Sequence, residues 1–83
     1  MWIDGKTAIC LNTREQFTGY ATDAVSGLWD LPDFNVFDAS WTPDAPTQWV
    51  EAAVPGTYTW TLTVQSANGQ TATAQFSFTA FNC

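Results

Sequence analysis

The sequence has no histidine, only two basic residues, Lys6 and Arg14, and no uninterrupted apolar run longer than Ala8-Ile9-Cys10-Leu11. Without histidine there is no Ser-His-Asp or Cys-His nucleophile pair, no imidazole metal ligand and no histidine pH switch. The shortage of base excludes partners as well. From Glu15 to Cys83 there are seven acids and no lysine or arginine, so a nucleic-acid backbone or an anionic membrane surface is repelled. A bilayer-spanning helix needs about 20 apolar residues, so no membrane insertion is expected. The amino end, Met1-Trp2-Ile3-Asp4-Gly5-Lys6, lacks the charged segment and apolar stretch of a secretory leader. Either a leader has been removed, or the chain leaves its cell by another route, as a virion component would.

What is present is apolar and aromatic. Of 83 residues 46% are hydrophobic, thirteen carry aromatic rings and 12% are charged, with a formal net charge of −6. A chain of this length forms one fold and buries roughly 60 to 65% of its surface, so residues 1–83 are read as a single domain. The apolar content excludes disorder.

Two cysteines, Cys10 and Cys83, stand near opposite ends and match neither a Cys-x-x-Cys redox motif nor a zinc site. A disulfide between them is the economical reading, the alternative being two free thiols. Closing so long a loop stabilises by about 4 to 5 kcal/mol in the chain-entropy model, and it implies an oxidising compartment.

The strongest local pattern is Thr57 to Val64, where every even position is large and apolar and every odd one is threonine. That alternation predicts a half-buried strand. After Gln65-Ser66-Ala67-Asn68-Gly69-Gln70, with an Asn-Gly pair favoured where two residues need positive φ, alternation resumes from Thr71 to Ala80. The two form an antiparallel hairpin. Upstream, candidate strands recur at Lys6 to Leu11, Phe17 to Thr22, Gly27 to Leu31, Phe34 to Ala39 and Thr47 to Ala52, separated by proline, glycine and aspartate. Residues 44–53 could instead form a short helix, with Asp44 as N-cap and Pro46 in its first turn; strand is preferred. Seven short strands predict an all-β antiparallel sandwich.

The segment Val54-Pro55-Gly56-Thr57-Tyr58-Thr59-Trp60-Thr61-Leu62-Thr63-Val64, followed by Ser66 to Ala74, resembles the carboxyl half of PKD-type and other bacterial immunoglobulin-like domains. The resemblance covers roughly residues 47–81. Trp29-Asp30 is similar to the Trp-Asp that opens the PKD motif Trp-Asp-Phe-Gly-Asp-Gly. Here Leu31-Pro32-Asp33-Phe34 follows, without either glycine, so the resemblance is to the broader immunoglobulin-like sandwich. It implies an immunoglobulin-like fold of about seven strands. Tyr58 is then similar to a tyrosine-corner residue, and Trp60 takes the core position that a cysteine fills in antibody domains. First and last strands lie side by side near one edge of such a sandwich, which agrees with a Cys10 to Cys83 bridge.

Trp29, Tyr58 and Trp60 are accordingly expected in the structural core. Trp2, Trp41 and Trp49 lie near turns or the amino end, and Trp41 and Trp49, flanking a proline-rich loop, are the candidate contacts for a ligand or partner. Asp23, Asp30, Asp33, Asp38 and Asp44 could offer carboxylates to calcium, with Asp30 and Asp33 the weak candidates. No EF-hand spacing is present, and a solvated acidic surface is the preferred reading. No cofactor and no catalysis are expected, since an 83-residue sandwich offers little cleft for a glycosidase carboxylate pair. The resemblance implies a non-catalytic extracellular or cell-surface module with a structural, adhesive or assembly role, as a surface protein, filament or virion component. Protein partners or self-assembly are expected. The alternative is a carbohydrate-binding module that uses exposed tryptophans.

Overall fold

The computed structural model describes residues 1–32 and 39–83. Among them run eight strands and no helix: β1 (Trp2–Asp4), β2 (Ala8–Cys10), β3 (Arg14–Tyr20), β4 (Ala24–Asp30), β5 (Ser40–Trp41), β6 (Thr47–Glu51), β7 (Gly56–Ser66) and β8 (Thr71–Phe81). They form a three-stranded sheet in the order β1-β3-β6 and a five-stranded sheet in the order β2-β8-β7-β4-β5. All pairings are antiparallel except that of β2 with β8.

The long hairpin organises the larger sheet. β7 and β8 pair continuously from Gly56↔Ala80 to Gln65↔Thr71, and the period-two pattern sends Trp60, Leu62, Val64, Phe78 and Ala80 inward. The hairpin closes through Ala67-Asn68-Gly69, with Ser66 N–H donating to Gln70 O at 2.8 Å and Gly69 N–H to Ser66 O at 3.0 Å. Only Gly69 needs a positive φ, +88°, and Asn68 does not. The loop is thus a three-residue turn ending in a left-handed glycine rather than a two-residue Asn-Gly turn.

Between the sheets the smaller one contributes Ile3, Phe17 and Val50, packed on Trp29, Trp41, Trp60 and Phe78. Phe17 lies 5.0 Å from Phe78 and 5.9 Å from Trp60 between ring centroids, and Trp29 meets Trp60 edge-on at 5.1 Å. Every side chain of this core is apolar or aromatic. The indole N–H groups of Trp29 and Trp60 are buried without a hydrogen-bond partner among the described residues. Each unmade bond costs about 1 to 3 kcal/mol, which burial of a large indole offsets.

Several expectations are corrected. The chain has eight strands among its described residues where seven were expected, because the first is split. Trp2–Asp4 joins the smaller sheet, and after Gly5 to Thr7 the chain crosses so that Ala8–Cys10 pairs with β8 in the other. The stretch Thr47–Glu51 is strand, as preferred over the helical alternative, and is held to β3 by five register pairs. β3 begins earlier than Phe17, at Arg14, and β4 earlier than Gly27, at Ala24. The strand expected at Phe34 to Ala39, together with Asp33 and Asp38, falls on or across residues outside the described ones.

Cys10 and Cys83 form a disulfide with Cα atoms 5.5 Å apart and a sequence separation of 73. Parallel pairing places Cys10 opposite Phe81, so the bridge ties two neighbouring strand ends. A disulfide is compatible with an oxidising, extracellular compartment.

Candidate functional site

The exposed aromatic rings of the strands gather mainly on one surface, the outward face of the three-stranded sheet. Phe17 and Gly19 of β3 point inward, so alternation turns Arg14, Gln16, Thr18 and Tyr20 outward. Register then sets their neighbours. Trp2 lies opposite Tyr20 and Asp4 opposite Thr18; Thr47 lies opposite Thr18, Trp49 opposite Gln16 and Glu51 opposite Arg14. Directly opposed residues share a face, which gives four rows across the sheet.

The first row is aromatic: Trp2 and Tyr20 stack with centroids 5.0 Å apart and planes at 25°. The second, Asp4-Thr18-Thr47, is short and polar, with the two threonine hydroxyls 3.4 Å apart. The third pairs Gln16 with Trp49. In the fourth, Arg14 lies opposite Glu51, and its guanidinium carbon sits 5.1 Å from the centroid of the Trp49 ring. Trp2 is 60% exposed, Trp49 47% and Tyr20 43%. Rings so presented can stack on the apolar face of a sugar or on a partner's side chain, while the hydroxyls, amide and carboxylates between them exchange hydrogen bonds.

Of the two tryptophans expected to make contacts, only Trp49 lies on this surface. Trp41 is corrected: it is 2% exposed and belongs to the core. Two features draw it in. Its indole N–H donates to the Gly19 carbonyl at 3.1 Å, and Gly19 leaves room for it, since a β-carbon there would collide with Leu62 Cδ2 and lie 2.9 Å from Trp41 Nε1. Trp29 and Trp60 are buried. Tyr58 is half-buried, with its ring 5.6 Å from Phe78 and its hydroxyl donating to the Val54 carbonyl. Tyr20 was not singled out from the sequence; the inward parity of Phe17 was the signal that could have found it.

The outward face of the larger sheet has exposed apolar side chains at its margins, Leu28 of β4 and Phe81 at the end of β8, but its hairpin centre differs. Thr57, Thr59, Thr61, Thr63 and Gln65 of β7 lie opposite Thr79, Ser77, Gln75, Thr73 and Thr71 of β8. Hydroxyls meet across the strands at Thr57–Thr79 (3.3 Å), Thr59–Ser77 (2.9 Å) and Thr63–Thr73 (3.5 Å).

Among the described residues, no group of three or more acids and cysteines is placed to hold a metal ion. Asp30 is exposed on β4 opposite Thr61, and its companion candidate Asp33 lies outside the described residues. Two shallow concavities lie at the larger sheet. One of about 400 Å³ is bordered by Leu28, Trp41, Thr63 and Thr71 and contains no acid; one of about 250 Å³ near the hairpin turn contains only Asp23. Neither assembles a carboxylate pair. No helix of the described residues is long and apolar enough to cross a membrane. The sequence matches no protein-family model and no curated protein.

Proposed function

We propose that the chain is a non-catalytic, immunoglobulin-like module that works outside the cell or at its surface, in a structural, adhesive or assembly role. The strand order supports the immunoglobulin-like reading. A split first strand, with one part beside β3 and the other parallel to β8, and a sheet ordered β8-β7-β4-β5, correspond to a sandwich in which the last four strands of one layer read G, F, C and C′. The hydroxyl of Tyr58, near the start of β7, bonded to the Val54 carbonyl four residues upstream and outside the strand, supports a tyrosine corner. The disulfide supports the oxidising compartment.

The observation that carries the contact role is the outward face of the three-stranded sheet, where Trp2, Tyr20 and Trp49 are exposed on a backbone held rigid by the core. Sedimentation velocity over a micromolar concentration series tests the assembly part. Concentration-dependent oligomers or filaments are expected for a self-assembling subunit, and a strict monomer at every concentration removes self-assembly from the role. The same face favours a second reading, carbohydrate binding, now resting on Trp49 with Trp2 and Tyr20 in place of Trp41.

A further inference from the structure

We infer that the outward face of the three-stranded sheet binds a neutral polysaccharide chain, lying across β3 from the Trp2–Tyr20 stack to Trp49. The inference rests on reading the module as an adhesive contact unit and names what it adheres to.

The aromatic residues on this face are not required by the core. Ile3, Phe17 and Val50 already fill the inward positions of the same three strands. Nor does strand formation require them, because the outward positions from Thr57 to Gln65 of β7 and from Thr71 to Thr79 of β8 meet the same demand with threonine, serine and glutamine. Three large rings therefore stay in water where smaller side chains would serve.

Their placement suits an extended ligand. Tyr20 and Gln16 are four residues apart on β3, about 13 Å along the strand, and Trp49 is one strand further across, so the two aromatic platforms are separated by roughly 14 Å. Several sugar units fill that span. Between the platforms lies the low row of Asp4, Thr18 and Thr47, whose oxygens face upward from beneath a chain resting on the taller rings. Gln16 beside Trp49 and Arg14 over it add amide and guanidinium donors.

Charge and desolvation select the occupant. Asp4 and Glu51 flank the face and the chain carries −6, which disfavours a polyanion. A flat apolar partner would strip water from Asp4, Gln16, Arg14 and Glu51 without offering hydrogen bonds in return, at a cost of kilocalories for each group left unpaired. A second copy would add another six negative charges. A neutral saccharide offers an apolar ring face to the aromatic residues and hydroxyls to the polar row.

The test uses the intact, disulfide-bonded chain. Retention is measured on insoluble cellulose and chitin, and binding to soluble xylan, mannan and β-1,3-glucan is followed by tryptophan fluorescence and calorimetry, with alginate as the anionic comparator. Binding to at least one neutral polysaccharide and none to alginate is expected. Trp49→Ala and Tyr20→Ala should each weaken it at least tenfold, Trp49→Phe should restore part of it, and Thr59→Ala on the opposite face should leave it unchanged. Near-UV circular dichroism of each variant establishes that the fold is intact. No binding to any of the five neutral polysaccharides, or binding indifferent to Trp49→Ala and Tyr20→Ala, overturns the inference. If binding is absent but Trp49→Ala abolishes oligomers seen by sedimentation, the contact role stands and its occupant is a second copy. If the parent chain neither binds nor associates, this inference and the self-assembly and sugar-binding forms of the contact role fail together.

Discussion

The outward faces of the β7–β8 hairpin and of the three-stranded sheet have the same pleat and the same right to water, yet the first is a ladder of hydroxyls, bordered by Leu28 and Asp30 of β4 and by Phe81, and the second a set of aromatic rows with charges at their margins. On β7 and β8 every outward side chain from Thr57 to Gln65 and from Thr71 to Thr79 is threonine, serine or glutamine. Three of the hydroxyl pairs satisfy one another across the strands. On β1, β3 and β6 the corresponding positions hold Trp2, Tyr20 and Trp49 beside Asp4, Arg14 and Glu51. The first face shows what strand propensity and solubility alone demand. What the second carries beyond that is then attributable to contact.

The comparison can be broken most severely from beneath. Trp60 is fully buried and packs on Phe17 of the opposite sheet, so it supports both faces. Trp60→Ala should destabilise by about 3 to 5 kcal/mol, read as a lower urea midpoint with an unchanged slope, and any ligand binding should fall with the folded fraction. Opening the disulfide comes next. Cys10→Ser with Cys83→Ser should remove about 2 to 5 kcal/mol while leaving both faces unchanged in molecules that stay folded, as judged by near-UV circular dichroism. Tyr58→Phe removes the hydroxyl that donates to the Val54 carbonyl, and a loss of about 1 kcal/mol is expected in the same titration.

The smallest effects sharpen the contrast most. Trp49→Ala forfeits the cation–π contact with Arg14, worth about 0.5 to 1 kcal/mol at an exposed site. Thr59→Ala on the hydroxyl ladder should shift stability by no more than about 0.5 kcal/mol. If the two variants differ in ligand binding far more than in melting temperature, the faces differ in function. Equal behaviour in both assays would reduce the contrast to decoration.

Legibility in the sequence followed the length of each alternating run. β7 and β8 were readable because ten or so residues repeat one pattern, and the parity of Trp60 and Leu62 could be assigned without any partner. β1 and β5 were not, since three residues and two residues carry no period. β5 also shows why Trp41 was misplaced: Ser40 faces out and Trp41 in, and the nearby Pro43 and Asp44 suggest a surface turn while saying nothing about the Gly19 carbonyl that receives the indole. The aromatic site was hidden for a different reason. Trp2 and Tyr20 meet only through the β1–β3 register, and Trp49 joins them only through β3–β6, so the site is a property of strand pairing among separated segments. Each residue was visible; their common face was not.

The Cys10–Cys83 bridge also determines how the molecule would behave under tension. A pull applied at residues 1 and 83 has a covalent path along residues 1–10 and directly to Cys83 through sulfur, so residues 11–82 lie outside that path and are loaded only through the ladders of β1 with β3 and β2 with β8. Peeling β1 from β3 and β2 from β8 would lengthen the connection to at most about 35 Å, against roughly 280 Å for the same chain with the bridge open. Under such a force the fold acts as a short, nearly inextensible link, and the strain falls on the first ten residues, so the Trp2–Tyr20 stack would be lost with β1 while Trp49 on β6 kept its place against β3.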